Sequence, residues 1–266
     1  MLELKILKVN HSGKDNAKKL IPYIENCDIF GMESGCATKE HAEEIESHWE
    51  YMLQTNKSVA RLKIELEEVK YSDKSIHPDE IEFEKQLDIE LYKFRKPIIV
   101  LERFSKLESK FLESLYSPPK TRSLLLEGNI DGFVSAYWNG LKMQGLADKQ
   151  RDIHIAQNIS KAEEKIRRKF EKLSEKNSIN LSIMIGKLHN IERYLNCPYE
   201  VIDLHNENSI FLELARKAYE DNIPFEDVKK DLLAAGLKAS FKIPDRELDL
   251  PFERLKELAA SLSNGR

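Results

Sequence analysis

Ile179-Asn180-Leu181-Ser182-Ile183-Met184-Ile185-Gly186-Lys187-Leu188-His189 is the stretch from which the fold of this chain can be read. Ile179, Leu181, Ile183 and Ile185 alternate with uncharged Asn180, Ser182 and Met184, and no charge falls before Lys187. A strand without charge on either side is one buried on both faces, as in a parallel sheet covered by helices. Gly186 breaks the strand, and a short turn delivers His189 just beyond its carboxyl end, with Asn190 placed to open the next helix. Open α/β sheets collect ligands outside the carboxyl ends of their strands, so His189 is a candidate functional residue.

The same order of apolar strand and polar terminus recurs upstream. Leu2 to Val9 reads as a strand whose charged Glu3 and Lys5 suggest a place near the sheet edge, and it runs into Asn10-His11-Ser12-Gly13. A helix from about Asn16 to Asn26 leads to the strand Asp28 to Glu33, closed by Ser34-Gly35, so that a carboxylate ends an otherwise apolar strand. After Pro97, Ile98 to Leu101 is a short apolar strand terminated by Glu102 and Arg103. Pro198 precedes a further strand over Tyr199 to Leu204.

Between these strands the pattern is helical. From Thr38 to Phe94, Phe83, Leu87, Leu91 and Phe94 form a core stripe at helical spacing. A second block runs from Lys106 to Lys176, broken at Ser117-Pro118-Pro119 and Gly128, loosened at Gly140 and Gly145 before Arg151, and closed by a long surface helix over Glu163 to Lys176. The remainder, about Ser209 to Leu262, is helical with breaks at Pro224, Gly236, Pro244 and Pro251. The sequence therefore predicts one α/β domain over residues 1–266, with a central mixed or mostly parallel sheet of about five strands. Two helical insertions, at about 38–96 and 104–178, are expected to form a cap over the carboxyl strand edge.

Composition narrows the partners. A formal net charge of −4 provides no concentrated basic face for nucleic acid, and the densest basic run, Lys165 to Lys169, follows Glu163 and Glu164 and reads as a solvated helix face. No segment approaches the roughly 18 apolar residues of a membrane span, so a cytoplasmic protein without a membrane partner is expected. Cys27, Cys36 and Cys197 are odd in number and lack CxxC spacing, which points to neither a disulfide framework nor a thiolate zinc site.

His11, Glu33, Glu102 and His189 each end a different strand, and strands about 4.8 Å apart let such residues converge. Two imidazoles and one of these carboxylates, with an open position, would make a site for a divalent ion such as Zn, Mn or Co, which would acidify bound water and polarise a carbonyl. Plainer readings exist for each residue. His11 caps a turn; Glu33 and Glu102 pair with Arg151 or Arg103; Asp152 orients Arg151 or serves as a helix partner; His154 packs. His41 and His48, with Glu43, Glu44 and Glu46 between them, read as a solvated face, Tyr137 and Trp138 as core, and His77 and His205 as loop residues near helix starts.

Gly186-Lys-Leu-His189 followed by Asn190-Ile-Glu-Arg-Tyr-Leu195 resembles the second GxxH motif of the superfamily that includes TraB, GumN, the TIKI proteases, ChaN and erythromycin esterase. Arg151-Asp-Ile-His-Ile-Ala156 with Ile159 is similar to the family's R-D-x-x-x-A-x-x-I helix, Leu101-Glu102 to its L-E strand end, and Phe30-Gly-Met-Glu33 to the strand carrying its essential glutamate. The motifs occur in the family's order over most of the chain. The first GxxH is altered to Lys8-Val9-Asn10-His11, without its glycine. The resemblance implies an α/β fold and a metal-dependent hydrolase of amide or ester bonds acting on a peptide or small molecule. His11, Glu33 and His189 would be its core and Glu102 and Arg151 its support, Arg151 as oxyanion stabiliser or carboxylate clamp. A non-catalytic ligand-binding or regulatory protein of the same fold is the alternative. Either reading is compatible with a homo-oligomer.

Overall fold

The computed structural model describes residues 1–35, 37–68, 78–115, 121–204, 210–220 and 223–264. In chain order the elements are β1 (Leu2–Val9), α1 (Lys14–Lys18), α2 (Ile21–Asn26), β2 (Ile29–Met32), α3 (Lys39–Gln54), α4 (Val59–Glu68), α5 (Pro78–Lys93) and β3 (Ile98–Val100). There follow α6 (Lys106–Leu115), α7 (Thr121–Leu126), α8 (Ile130–Ser160), α9 (Ala162–Lys169), α10 (Glu171–Ser174), β4 (Ile179–Gly186), a 3-10 turn (Ile191–Tyr194) and β5 (Tyr199–Asp203). The chain closes with α11 (Ile210–Glu220), a 3-10 turn (Phe225–Asp227), α12 (Lys229–Phe241), α13 (Asp245–Leu248) and α14 (Phe252–Asn264). Cys36, His77, the break at 117–119 and His205 lie outside the described residues.

The chain divides into two compact units, one of Met1–Ser109 with Arg151–Asn206, the other of Lys110–Gln150 with Glu207–Arg266. The first is an α/β unit built on a five-stranded sheet of order β3-β2-β4-β1-β5, parallel at every pairing. β4 is the middle strand. On one face Leu7, Val9, Phe30 and Met184 meet Trp49, Leu62, Phe83, Leu87 and Leu91 from α3, α4 and α5. On the other Ile6, Ile183 and Ile185 meet Ile155 and Ile159 of α8 and Ile166 of α9. Both faces of a parallel sheet must be covered, and the apolar stripe of the first insertion forms one of the covering layers. Where β2 pairs with β4, Gly31 leaves room for its register partner, since a Cβ there would lie 2.6 Å from Cγ2 of Ile183.

Several elements lie elsewhere than the pattern suggests. β1 does lie near the edge, between β4 and the edge strand β5, and its Lys5 forms an ion pair with Glu200 of β5, the register partner of Lys5. Cross-strand charge pairing makes a charged stripe compatible with an inner position. The true edges are β5 and β3. Along β3, the Glu46 carboxylate accepts from Val100 N–H and Arg103 Nε donates to Val100 C=O, so two side chains cap the backbone groups that an edge strand leaves free. Glu46 is also not on a solvated face: it is buried and binds Arg103, Lys165 and Lys169. That cluster draws the basic run of α9 inward. The Glu163–Lys176 segment is two helices, α9 and α10, separated at Phe170.

The second unit is helical and has its own core, in which Trp138, Leu141, Leu214, Leu232, Leu233, Leu237 and Leu255 are buried. Gly140 and Gly145 do not interrupt α8, which runs unbroken from Ile130 to Ser160. Gly145 instead permits a close helix approach: a Cβ there would lie 3.0 Å from Tyr219 Cα and the Ala218 carbonyl oxygen. Among the described residues no helix is long and apolar enough to cross a membrane.

Candidate functional site

Because the sheet is parallel, the residues following its strands gather at one edge, and the strand order sets their sequence across it. Glu102 follows β3, Glu33 follows β2, His189 follows β4 and His11 follows β1, on four adjacent strands. The backbone of Glu33 extends the ladder, its N–H donating to the Met184 carbonyl. His189 N–H donates to the Gly186 carbonyl, closing the turn that presents the imidazole.

Glu33 is the hub. Its Oε2 lies 3.1 Å from Nε2 of His189, its Oε1 lies 3.6 Å from Nδ1 of His11, and Nη2 of Arg151 stands 4.0 Å from its Oε2. Gly186 makes room for it, since a Cβ there would be 3.3 Å from Glu33 Oε1 and 3.6 Å from His189 Cδ2. Arg151 chiefly serves Glu102, with Nε donating to Oε1 at 2.5 Å; the other Glu102 oxygen accepts from Ser34 N–H. Glu102 is fully buried, so the Arg151–Glu102 pair acts as a brace between α8 and the ends of β2 and β3.

Asp152, next to Arg151 in the Arg-Asp helix, has its carboxylate turned to His189. One oxygen accepts from His189 Nδ1 at 2.5 Å and the other from Asn190 N–H at 2.7 Å. A buried carboxylate behind an imidazole fixes the ring and favours its charged form. Asp152 is therefore a site residue that sequence reasoning assigned elsewhere; the signal present was its adjacency to Arg151. His154 packs, stacked on Phe104 and accepting from Arg103 N–H, while Arg103 pairs with Glu46 and Glu43 outside the site. His11 stacks on Phe83 of α5, with ring centroids 5.3 Å apart.

The electrostatics follow from burial with partners. Burial works against the Glu33 charge, but His189, then His11 and Arg151, outweigh it and lower its pKa to about 2. Burial likewise works against the His189 imidazolium, but the Glu33 charge and the Asp152 hydrogen bond raise it to about 9. At neutral pH the pair is carboxylate and imidazolium. Nε2 of His11 and Oγ of Ser34 are buried without a hydrogen-bond partner among the described residues, and Oε2 of Glu33 has its ion contacts with His189 and Arg151 but no well-aligned hydrogen bond. Buried polar atoms are rarely left unbonded, so these atoms at one strand edge make it the candidate place for a ligand.

His11, Glu33 and His189 thus come together, but as a carboxylate held between two imidazoles. Among the described residues no group of three or more His, Cys, Asp or Glu is arranged to hold a metal ion. The donor chemistry of His11, Glu33 and His189 suits a divalent cation, and in this structure the Glu33 carboxylate lies in contact with both imidazoles. At the altered first motif, Lys8 pairs with Glu192 of the 3-10 turn, and the residue beside Gly186 in register is Val9.

No family model, curated protein or solved structure matches the chain. The likeness to the GxxH superfamily rests on the motifs quoted above.

Proposed function

We propose that the chain is a hydrolase of amide or ester bonds in a peptide or small molecule, working through the Glu33–His189 pair, as the resemblance to the GxxH superfamily implies. The observation that carries this reading is the buried Glu33 carboxylate between His11 and His189, with unsatisfied polar atoms on His11 and Ser34 at the carboxyl edge of the sheet. Glu33, ionised at neutral pH, takes a proton from water as the water oxygen adds to the substrate carbonyl. The charged His189 donates its Nε2 proton to the departing amine or alkoxide. Glu33 then returns its proton to His189 across the 3.1 Å contact, restoring the ion pair. Arg151, braced by Glu102, supplies positive charge beside the oxyanion. A divalent ion at His11, Glu33 and His189 is the other form of the same reading, and no step above is routed through one.

Hydrolysis of p-nitrophenyl esters and peptide p-nitroanilides, with and without chelator, tests this. Glu33→Gln is expected to lower turnover at least about a hundredfold with the fold intact, and chelator to leave wild-type turnover unchanged. Turnover equal in Glu33→Gln and wild type, both folded, sinks the hydrolase reading. Loss on chelation with recovery on adding Zn, Mn or Co selects the metal form.

A further inference from the structure

On the α3/α5 side of the sheet in the first unit lies a cleft of about 330 Å³, within the size range of small-molecule pockets, which begins at roughly 300 Å³. Its walls are apolar: Met32 at the end of β2, Ile98 at the start of β3, and Ile45 and Trp49 one turn apart on α3. Trp49 is fixed, its indole N–H donating to the Lys96 carbonyl, so this wall is preformed. The polar lining is different in kind. Asp88 of α5 enters the cleft opposite Glu44 and His48 of α3, and Lys and Arg are absent from the lining described.

Asp88, partly exposed in the cleft, has no hydrogen bond or ion pair among the described residues, although Glu65, Glu90 and Glu46 of the same helical layer each have a basic or amide partner. Burial, aided by the nearby Glu84 charge, raises its carboxyl to about 7. A carboxylate placed against hydrocarbon without a counter-charge is costly, and a cation entering the cleft would recover that cost. The apolar walls select against a bare hydrated ion, and the residues do not form a metal-ligating group. A ligand satisfying both features carries one positive charge on a hydrocarbon or aromatic body.

We propose that this cleft binds a small organic monoammonium ion, with its apolar body against Trp49 and Ile45 and its charge on Asp88. Recognition is by ion pairing at one end and by burial and ring contact at the other. The site does not depend on the hydrolase reading, since none of the residues assigned to that reaction lines it.

Calorimetric titration of the full chain with 2-phenylethylammonium, beside the uncharged 2-phenylethanol, tests the proposal. Saturable one-site binding of the ammonium ion is expected, and binding at least about tenfold weaker for the alcohol and for Asp88→Asn, since a desolvated ion pair is worth more than 1 kcal/mol. Asp88→Asn removes an uncompensated charge and should fold. Ile45→Trp fills the cleft while retaining Asp88 and is expected to abolish binding, its fold checked by circular dichroism. Absence of saturable binding up to about 10 mM, a range in which even weak specific ligands register, overturns the proposal. So does an affinity that Asp88→Asn leaves within about twofold, the change expected from a purely apolar cleft. Displacement of the amine by stoichiometric Ca²⁺ or Zn²⁺ overturns it in favour of a metal site.

Discussion

Raising the pH from 6 to 9.5 is expected to separate wild type from Glu33→Gln through one proton on His189. Its pKa stands near 9 against an ordinary 6.5, because the Glu33 charge and the Asp152 hydrogen bond overcome burial. A group whose folded pKa is raised contributes stability that is complete below its unfolded value and is lost as pH rises through its folded value. The window is therefore about pH 6.5 to 9, and at roughly 1.4 kcal/mol per pH unit the loss across it is about 3 kcal/mol. The lowered pKa of Glu33 is the same interaction seen from its acid end; it is lost as pH falls from 4.5 toward 2 and is not counted again. Urea unfolding at fixed pH measures this directly. At pH 6, Glu33→Gln should be less stable than wild type by about 3 kcal/mol, the order expected when one partner of a buried pair is removed. By pH 9.5 most of that gap should close, since wild type has then lost the imidazolium. A gap equal at both ends of the range would refute the ion pair, and with it the protonation states used in the proposed reaction.

Two further outcomes follow from single contacts. Asp152→Asn keeps the shape but replaces one carboxylate oxygen with an amide, so His189 loses its charge-stabilising partner; turnover should fall by two or more orders of magnitude, with its optimum shifted to lower pH, which a pH–rate profile reads. Glu46→Ala strands Arg103, Lys165 and Lys169 and uncaps Val100 N–H, and should cost roughly 3 kcal/mol in urea unfolding, the low end of a broken buried pair because both lysines can reach water.

The strands were legible because burial on both faces leaves a composition with few alternatives. Ile179 to Gly186 carries no charge, and it is the middle strand. Charge was less legible where it was paired across elements. Lys5 marks a strand near the edge without showing its partner, Glu200 in register on the edge strand, and Glu46 looks solvated because its partners are 54 to 123 residues away. Helical periodicity cannot show a neighbour. Gly145 reads as a weak point by propensity, yet it is a place of helix contact, where tertiary packing outweighs the cost of a glycine.

The site was legible to the same depth and no further. A polar residue after an apolar strand can be recognised in one dimension, and a parallel sheet brings such residues to one edge, so His11, Glu33, Glu102 and His189 could be named together. What one dimension lacks is strand order. β4 lies between β2 and β1, so His189 arrives between Glu33 and His11 and the three share one place, an order that the chain sequence β1, β2, β3, β4 does not suggest. Asp152 was hidden for a related reason. It sits on a helix whose register against the sheet is set by Ile155 and Ile159, and that packing turns its carboxylate toward His189 and leaves Arg151 to Glu102. The adjacent Arg and Asp thus divide their work between two strands. Arg151 holds the Glu102 carboxylate after β3 and Asp152 holds the His189 imidazole after β4, and in this way a single turn of α8 is tied to the ends of two strands that are not neighbours.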